Sequence, residues 1–298
     1  MSGEARRRAA FAAGVVLTLA ATIGLQLVRD RTYPQFMPLE ALLDIPSGEV
    51  LDRLALSFDA VVADVYWIRT LQHFGGTRRA KAGPKRYELL YPLLDITTTL
   101  DPKFAIAYRF GALFLSEPPP GGPGRADQAV TLLEKGLRTS PERWQYLQDI
   151  GFVYYWAEHD YTRAAAYFER AAGVRGAPWF LRSLAATTLA SGGDRRSSRT
   201  LWTSILQTTA DEWIRGDAAR RLMQLDALDQ IDELTAIVER FRRSGGAQPY
   251  SLQAIVRAGL LRGVPVDPTG VPYYVGAYGG KVDLGDTSTL GPLPQAGR

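Results

Sequence analysis

The hydrophobic positions of this chain recur with a helical period along most of its length, and nowhere more regularly than between Pro141 and Pro178. Leu147, Ile150, Gly151 and Tyr154 stand at i, i+3, i+4 and i+7, which places them on one stripe of a helix. Ala164, Phe168 and Ala171 repeat the spacing after a polar break. The pattern predicts two short amphipathic helices folded against each other, with a proline closing each end. A bulky side chain at such a crossing needs small neighbours, so Gly151 and Ala164 mark the expected close approach and Phe168 the side chain that fills it.

The same register extends in both directions. From Pro102, Tyr108, Gly111, Ala112 and Leu115 define a first helix and Ala129, Leu133 and Gly136 a second, with the loop SEPPPGGPGRAD inserted between them and Pro141 after them. Downstream, Leu181, Leu184, Ala185 and Thr188, then Ser197, Leu201 and Ser204, give a third pair. Further back, residues 51–74 read as a nearly all-round apolar helix carrying Val61, Val65, Tyr66, Trp67, Ile68 and Leu71, stopped by Gly75 and Gly76; such a helix must be covered. Its cover is a helix over 85–100, kinked or restarted at Pro92, which lacks the N–H and clashes with the preceding turn. The loop between the two, TRRAKAGPKR, is basic, and reads first as a solvated loop and second as a contact for anionic headgroups. After the third pair, 211–225 and 230–242 read as two fainter helices and 251–261 as a last one. Then prolines and glycines take over, with a turn at Asp267-Pro268-Thr269-Gly270 and a small hairpin of Tyr273–Val275 and Lys281–Leu284 joined through Gly279-Gly280. The tail from Asp286 is expected to be disordered.

At the other end, residues 1–8 are basic and Ala9–Val28 is uncharged, about as long as a helix needs to cross the hydrocarbon core of a bilayer. Arg6, Arg7 and Arg8 outweigh Arg29 and Arg31, which Asp30 offsets, so the positive-inside rule keeps the N-terminus in the cytoplasm and sends the remainder across. A cleaved signal peptide would want a shorter apolar core and a small-x-small site just beyond it, and Ile23–Val28 offers none. The expected organisation is an uncleaved single-pass anchor over 9–28, a proline-punctuated spacer over 29–50, helical hairpins over 51–262 and a Pro/Gly-rich segment over 263–298.

The order of large and small residues in these hairpins resembles the tetratricopeptide repeat, a helical hairpin of about 34 residues with a proline near its end. The likeness covers the middle half of the chain and is clearest over 103–141, 142–178 and 179–209. Thr188 stands where an aromatic is usual, Ser197 and Ser204 where alanines are, and the middle repeat carries extra residues before Ala164 and before Pro178. The resemblance implies an all-α solenoid of the kind found in membrane-anchored bacterial tetratricopeptide proteins, whose inner surface is built from the first helix of each hairpin. Carried over position by position, that surface is Arg109 in the first repeat, Gln145, Gln148, Phe152, Tyr155 and Trp156 in the second, and Trp179 and Arg182 in the third. Aromatics and arginine dominate binding at interfaces, and the two glutamines suit a peptide backbone. The competing expectation is that Phe152 and Trp156 pack against a neighbouring repeat or the C-terminal segment.

Composition trims the function classes. The 298 residues include no cysteine, which removes disulfides, thiolate metal sites and a cysteine nucleophile. The net charge of +4 is carried by arginines dispersed over ordinary helix faces without a clustered stripe, which argues against nucleic acid. His73 and His159 stand in no metal-ligand spacing, GGPGR lacks the lysine and hydroxyl of a phosphate loop, and no nucleophile is paired with a base. Catalytic residues, metal, cofactor and small-molecule substrate are therefore not expected. The string VPVDPTGVPY is similar to the P-x-D-P-x-G-x-P-Y stretch near the C-terminus of the major pseudopilins of type II secretion, with Thr269 where a tryptophan is usual, and would imply a secretion or pilus context. A plainer expectation is that this segment folds back and sets Tyr273, Tyr274 and Tyr278 against Phe152, Trp156 or Trp179. Together these features describe a non-enzymatic scaffold or adaptor at the bacterial cytoplasmic (inner) membrane, its hairpins outside, that binds a protein or peptide partner. A cytoplasm-facing recruitment adaptor and an unrecognised hydrolase are the alternatives.

Overall fold

The apolar run near the N-terminus folds into one continuous helix, α1 (Gly3–Thr32), which runs on past Val28 into the first residues expected of the spacer. The computed structural model describes residues 3–32, 57–80, 84–243, 251–276 and 281–294, and the chain divides into two units, Met1–Leu51 and Asp52–Arg298. In the first unit, Val15, Leu17, Leu19, Ile23, Leu25 and Leu27 are all exposed along α1. Thr18 and Thr22 turn their hydroxyls back onto the helix, donating to Gly14 O at 3.0 Å and Thr18 O at 2.8 Å, so these polar groups are satisfied without water. Among the described residues no helix is long and apolar enough to cross a membrane. The side chains of 9–12, the start of the expected span, and the spacer over 33–50 lie outside those residues.

The second unit is a run of helices, each packed on the next. They are α2 (Asp59–Arg79), α3 (Leu90–Leu100), α4 (Ala105–Ser116), α5 (Ala126–Thr139), α6 (Trp144–Trp156), α7 (Tyr161–Ala172), α8 (Phe180–Ser191), α9 (Arg195–Thr208) and α10 (Glu212–Arg243). In the first half each also reaches the next but one, α3 touching α5 and α4 touching α6. The expected α6–α7 crossing is present. Ala164, Phe168 and Ala171 are fully buried, and a Cβ on Gly151 would stand 2.4 Å from Phe168 Cε1, so no side chain fits there. Gly111 has the same role in the preceding hairpin, where a Cβ would stand 2.5 Å from Leu94 Cδ2 and 2.9 Å from Leu132 Cδ2. Asp160 and Asp194 cap α7 and α9 by accepting from the N–H of Arg163 at 2.8 Å and of Ser197 at 3.0 Å. His159 takes φ +52 in the tight turn before α7, a conformation that histidine tolerates better than most residues.

Several expectations are corrected. Gly75 and Gly76 do not stop α2, which continues to Arg79. A mid-helix glycine costs only about 1 kcal/mol, and Phe74 anchors that end by stacking on Phe114 at 4.3 Å. Pro92 neither kinks nor restarts a helix, because α3 begins only at Leu90 and places Pro92 in the first turn, where no intrahelical N–H bond is lost. The helices expected over 211–225 and 230–242 are one, since Leu225, Ala227, Ile231, Leu234 and Val238 carry the buried stripe through the join and no glycine or proline interrupts it. On α9 the buried positions are Ser198, Trp202 and Ile205, one residue on from the expected Ser197, Leu201 and Ser204. The larger apolar surface of Trp202 and Ile205 wins the core, and Ser198 fits it by donating to Ala186 O at 2.7 Å. The basic loop is partly committed inside the protein: Arg78 pairs with Glu117 at 3.0 Å, and Lys85 donates to Arg78 O at 2.9 Å and Pro120 O at 3.0 Å, which holds the inserted loop down.

The C-terminal segment packs on α10. A short helix, α11 (Leu252–Arg257), ends four residues before the expected Leu261. Gly259 takes φ +74 and donates to Val256 O, while the N–H of Leu260 reaches Ile255 O at 3.2 Å, a closing motif that ends a helix. The expected hairpin is present as β1 (Tyr274–Val275) antiparallel to β2 (Val282–Asp283), with Gly279-Gly280 outside the described residues. The expected turn is present too, with the N–H of Gly270 on Asp267 O at 2.8 Å, and the buried Asp267 carboxylate accepting from the N–H groups of Thr269 and Val271. Tyr273, Val275 and Val282 share a core with Ile231, Leu234, Val238, Leu252 and Ile255. Tyr273 donates to Gln230 Oε1 at 2.6 Å. Tyr273 is therefore turned into the core on α10 and not toward Phe152, Trp156 or Trp179, and Tyr278 lies outside the described residues. Over the described residues 286–294 the tail is held in place and not disordered: Leu290 is buried, and the buried Gln224 carboxamide donates to Leu290 O at 2.6 Å and Pro292 O at 3.0 Å.

Candidate partner-binding site

From α3 to the start of α10 the exposed large apolar side chains fall on alternate helices. Ile106, Phe110 and Leu113 lie on α4, Trp156 at the end of α6, Trp179 and Phe180 at the start of α8, and Trp213 at the start of α10. Among the described residues α3, α5, α7 and α9 carry none. The helices thus alternate between those whose outer face is satisfied by water and those whose outer face is apolar.

Two hollows, among the described residues, open beside these exposed side chains. The larger, about 500 Å³, lies between α4 and α6 and is lined by Phe110, Leu113, Glu117, Pro118, Phe152 and Trp156, with Arg109 and Asp149 across it. Leu113 is 57% and Trp156 69% exposed, so the apolar lining of this hollow is open to solvent. Arg109 Nε donates to Asp149 Oδ2 at 2.5 Å and Nη2 to Oδ1 at 3.0 Å. Burial pushes the Asp149 carboxyl above its ordinary range and the guanidinium opposes it, while the pairing raises Arg109. Two N–H donors on two oxygens require the carboxylate, so the geometry describes an ionised pair. The smaller hollow, about 280 Å³, is lined by Pro178, Trp179, Arg182, Ile205, Thr209 and Ile214. Trp179 meets the Trp213 ring edge-on at 5.5 Å beside it.

Of the residues expected on the inner surface, Arg109, Phe152 and Trp156 come together in the larger hollow and Trp179 and Arg182 in the smaller. Phe152 divides its surface, since it also packs edge-on against Phe168 at 5.1 Å. Tyr155 serves the turn, wedged edge-on between Trp156 at 4.7 Å and Tyr161 at 5.2 Å. Gln145 and Gln148 are half-buried on α6 and line neither hollow. Sequence reading missed Ile106, Phe110, Leu113, Asp149 and Trp213. A signal for the first three was present, because α4 is apolar on more than one stripe. The signal for Asp149 is that it stands 40 residues after Arg109, as Gly151 stands after Gly111. Lys135 and Asp95 are bonded across the same interval, at 2.6 Å. Among the described residues no group of histidine, aspartate and glutamate is placed to hold a metal ion. Comparison of the chain with protein-family models, with curated proteins and with solved structures finds no match, so the site is read from its geometry alone.

Proposed function

We propose that this chain is a membrane-anchored, tetratricopeptide-like solenoid that works without turnover as a scaffold, holding a protein or peptide partner on the apolar faces of its first helices. The observation that carries the reading is the alternation just described: exposed large apolar residues on α4, α6 and the starts of α8 and α10, and none on α5, α7 or α9. An outer face that is apolar on every second element is what a stack of hairpins presents when one of its two surfaces is reserved for a ligand. The 40-residue interval of both the Arg109–Asp149 and Lys135–Asp95 pairs supports a repeated unit with an insertion, since equivalent positions of neighbouring units are in register. The uncharged run Ala9–Val28 supports an anchor at the inner membrane, and with the arginines before it favours an extracytoplasmic solenoid.

The reading is tested by site-specific photocrosslinking in intact membranes. A crosslinker at Leu113 or Trp156 should capture one discrete partner, and one at Thr131, on the water-facing α5, should not. Trp156→Ala should weaken capture from position 113 by on the order of 30-fold, the scale of an interface hot spot of about 2 kcal/mol. Equal capture from all three positions would refute the groove. Release of the full-length chain into the alkaline carbonate supernatant would refute the anchor, leaving the groove standing.

A further inference from the structure

α2 has two apolar faces, and the fold uses one of them. Ala63, Tyr66, Thr70 and Phe74 are buried, whereas on the opposite side Val61, Val65 and Ile68, with Phe58 just before the first turn, are between 44% and 66% exposed. These four are spaced three, four and three residues apart, with Gln72 four further on, which is the seam of a coiled coil. If Phe58, Val65 and Gln72 occupy a positions, then Val61 and Ile68 occupy d positions, and the flanks are fixed. Asp64 falls at g and Arg69 at the e position five residues later. In a parallel two-stranded coil those positions face each other across the seam. Both side chains are exposed, and neither takes part in an ion pair among the described residues; the Arg69 guanidinium rests 5.2 Å from the Tyr66 ring.

We propose that this face is a homodimer seam, on which a second copy of the chain lays its own α2 in parallel. The exposed apolar side chains are then buried on a two-fold axis, and Asp64 meets the partner's Arg69 twice by symmetry. A polar residue at one a position, here Gln72, sets register and favours one assembly over others. Beyond it the seam continues as Gly75 and Arg79, so the apolar contact ends there. So short a seam buries little area and describes a reversible dimer. The charge pattern is what selects a second copy over lipid: a bilayer needs no opposite charges set five residues apart, whereas self-pairing does.

The chain contains no cysteine, so single substitutions report without background. In the full-length protein in detergent micelles, Val65→Cys should form an intermolecular disulfide under mild oxidation, because facing a positions bring their Cβ atoms within bridging distance. Thr131→Cys should stay monomeric. By analytical ultracentrifugation the parent chain should be dimeric. Asp64→Arg or Arg69→Asp alone should weaken association by on the order of tenfold, as two symmetric pairs are lost, each worth about twofold to fivefold. The double exchange, Asp64→Arg with Arg69→Asp, should restore it. Absence of the disulfide in the Val65→Cys protein, or an exchange that fails to restore the dimer, would overturn the proposal. So would quenching of a fluorophore on Val65→Cys by nitroxide-bearing phosphatidylcholine vesicles, which would show that lipid covers this face.

Discussion

Gly151→Ala sets two forces of opposite sign against each other. Helix propensity alone favours alanine by about 1 kcal/mol. Against it, the new methyl carbon would stand 2.4 Å from Phe168 Cε1 and 2.6 Å from Cδ1, closer than nonbonded carbons approach. The ring has nowhere to go. Phe168 is fully buried, shares its cluster with Ala164, Ala165, Ala185 and Leu189, and carries Phe152 edge-on at 5.1 Å. Relief therefore means separating α6 from α7, an overpacking cost on the order of 1–3 kcal/mol. With the contact this short the upper part of that range applies, and the net expected loss is about 1–2 kcal/mol. Thermal unfolding of the full-length protein in one detergent, followed by circular dichroism, should show a fall of roughly 2–4 °C per kcal/mol for a unit of this size. Phe168→Leu on its own should also destabilise, by removing ring atoms from a filled site. Combined with Gly151→Ala it should cost less than the two singles together, because the missing atoms are the ones the methyl meets. A Gly151→Ala protein that melts at or above the parent would refute the reasoning, since propensity would then be the whole effect and the close crossing would not exist in solution.

Two further outcomes follow from buried polar groups. Burial lowers the pKa of His73 below its ordinary 6.5, against an opposing pull from Glu88, and its Nε2 is buried without a partner. The unfolded chain takes up that proton first as pH falls, so the stability held by neutral His73 is present above 6.5 and is lost below it; His73→Asn should flatten the decline of Tm between about pH 7 and 5.5, and an unchanged slope would remove His73 as its cause. Gln224→Ala should strip the buried donors from Leu290 O and Pro292 O. It should cost about 1–3 kcal/mol locally, and be seen as faster amide exchange over 286–294 with α6 and α7 unchanged; unaltered exchange there would show that the tail is held by Leu290 packing alone.

The core of the first two hairpins was legible in the sequence because the helical period gathers large and small residues into stripes that face each other. Gly151 opposite Phe168, and Gly136 opposite Tyr108, are examples in which a small residue of one stripe meets a large one of the next. Where the reading failed, a competing contact decided the outcome from far along the chain. Whether Gly75-Gly76 ends a helix depends on what Phe74 touches, and Phe114 lies 40 residues away. The α9 register depends on Trp202 and Ile205 displacing Leu201 from space that α10 encloses. The tail looked featureless because its order rests on backbone carbonyls, Leu290 O and Pro292 O, which have no signature in side chains; only the donor, Gln224, is visible, and a glutamine on a helix announces nothing. The site was half legible for a related reason. Trp156, Phe152 and Trp179 stand out by type, whereas Leu113 and Asp149 gain their meaning only from the neighbouring hairpin.

The two arginines of the expected inner surface make different contacts, and for the proposed groove the difference would bear on what it accepts. Arg109 commits Nε and Nη2 to Asp149, in the following hairpin. Removing either partner would strand the other: Asp149 is only 17% exposed, and an unpaired carboxylate there would carry its full desolvation cost. The pair links α4 to α6 across the hollow, so its charges offset each other there. A partner held there would be discriminated by shape and apolar contact, from Phe110, Leu113 and Trp156, and an acidic one would gain nothing from Arg109 unless it displaced Asp149. Arg182 is the opposite case. It is exposed beside Trp179 and enters no ion pair among the described residues. A partner long enough to cross both hollows would therefore be read as an apolar stretch followed by a group that accepts from a guanidinium, with the apolar end on α4 and α6 and the acceptor at the start of α8.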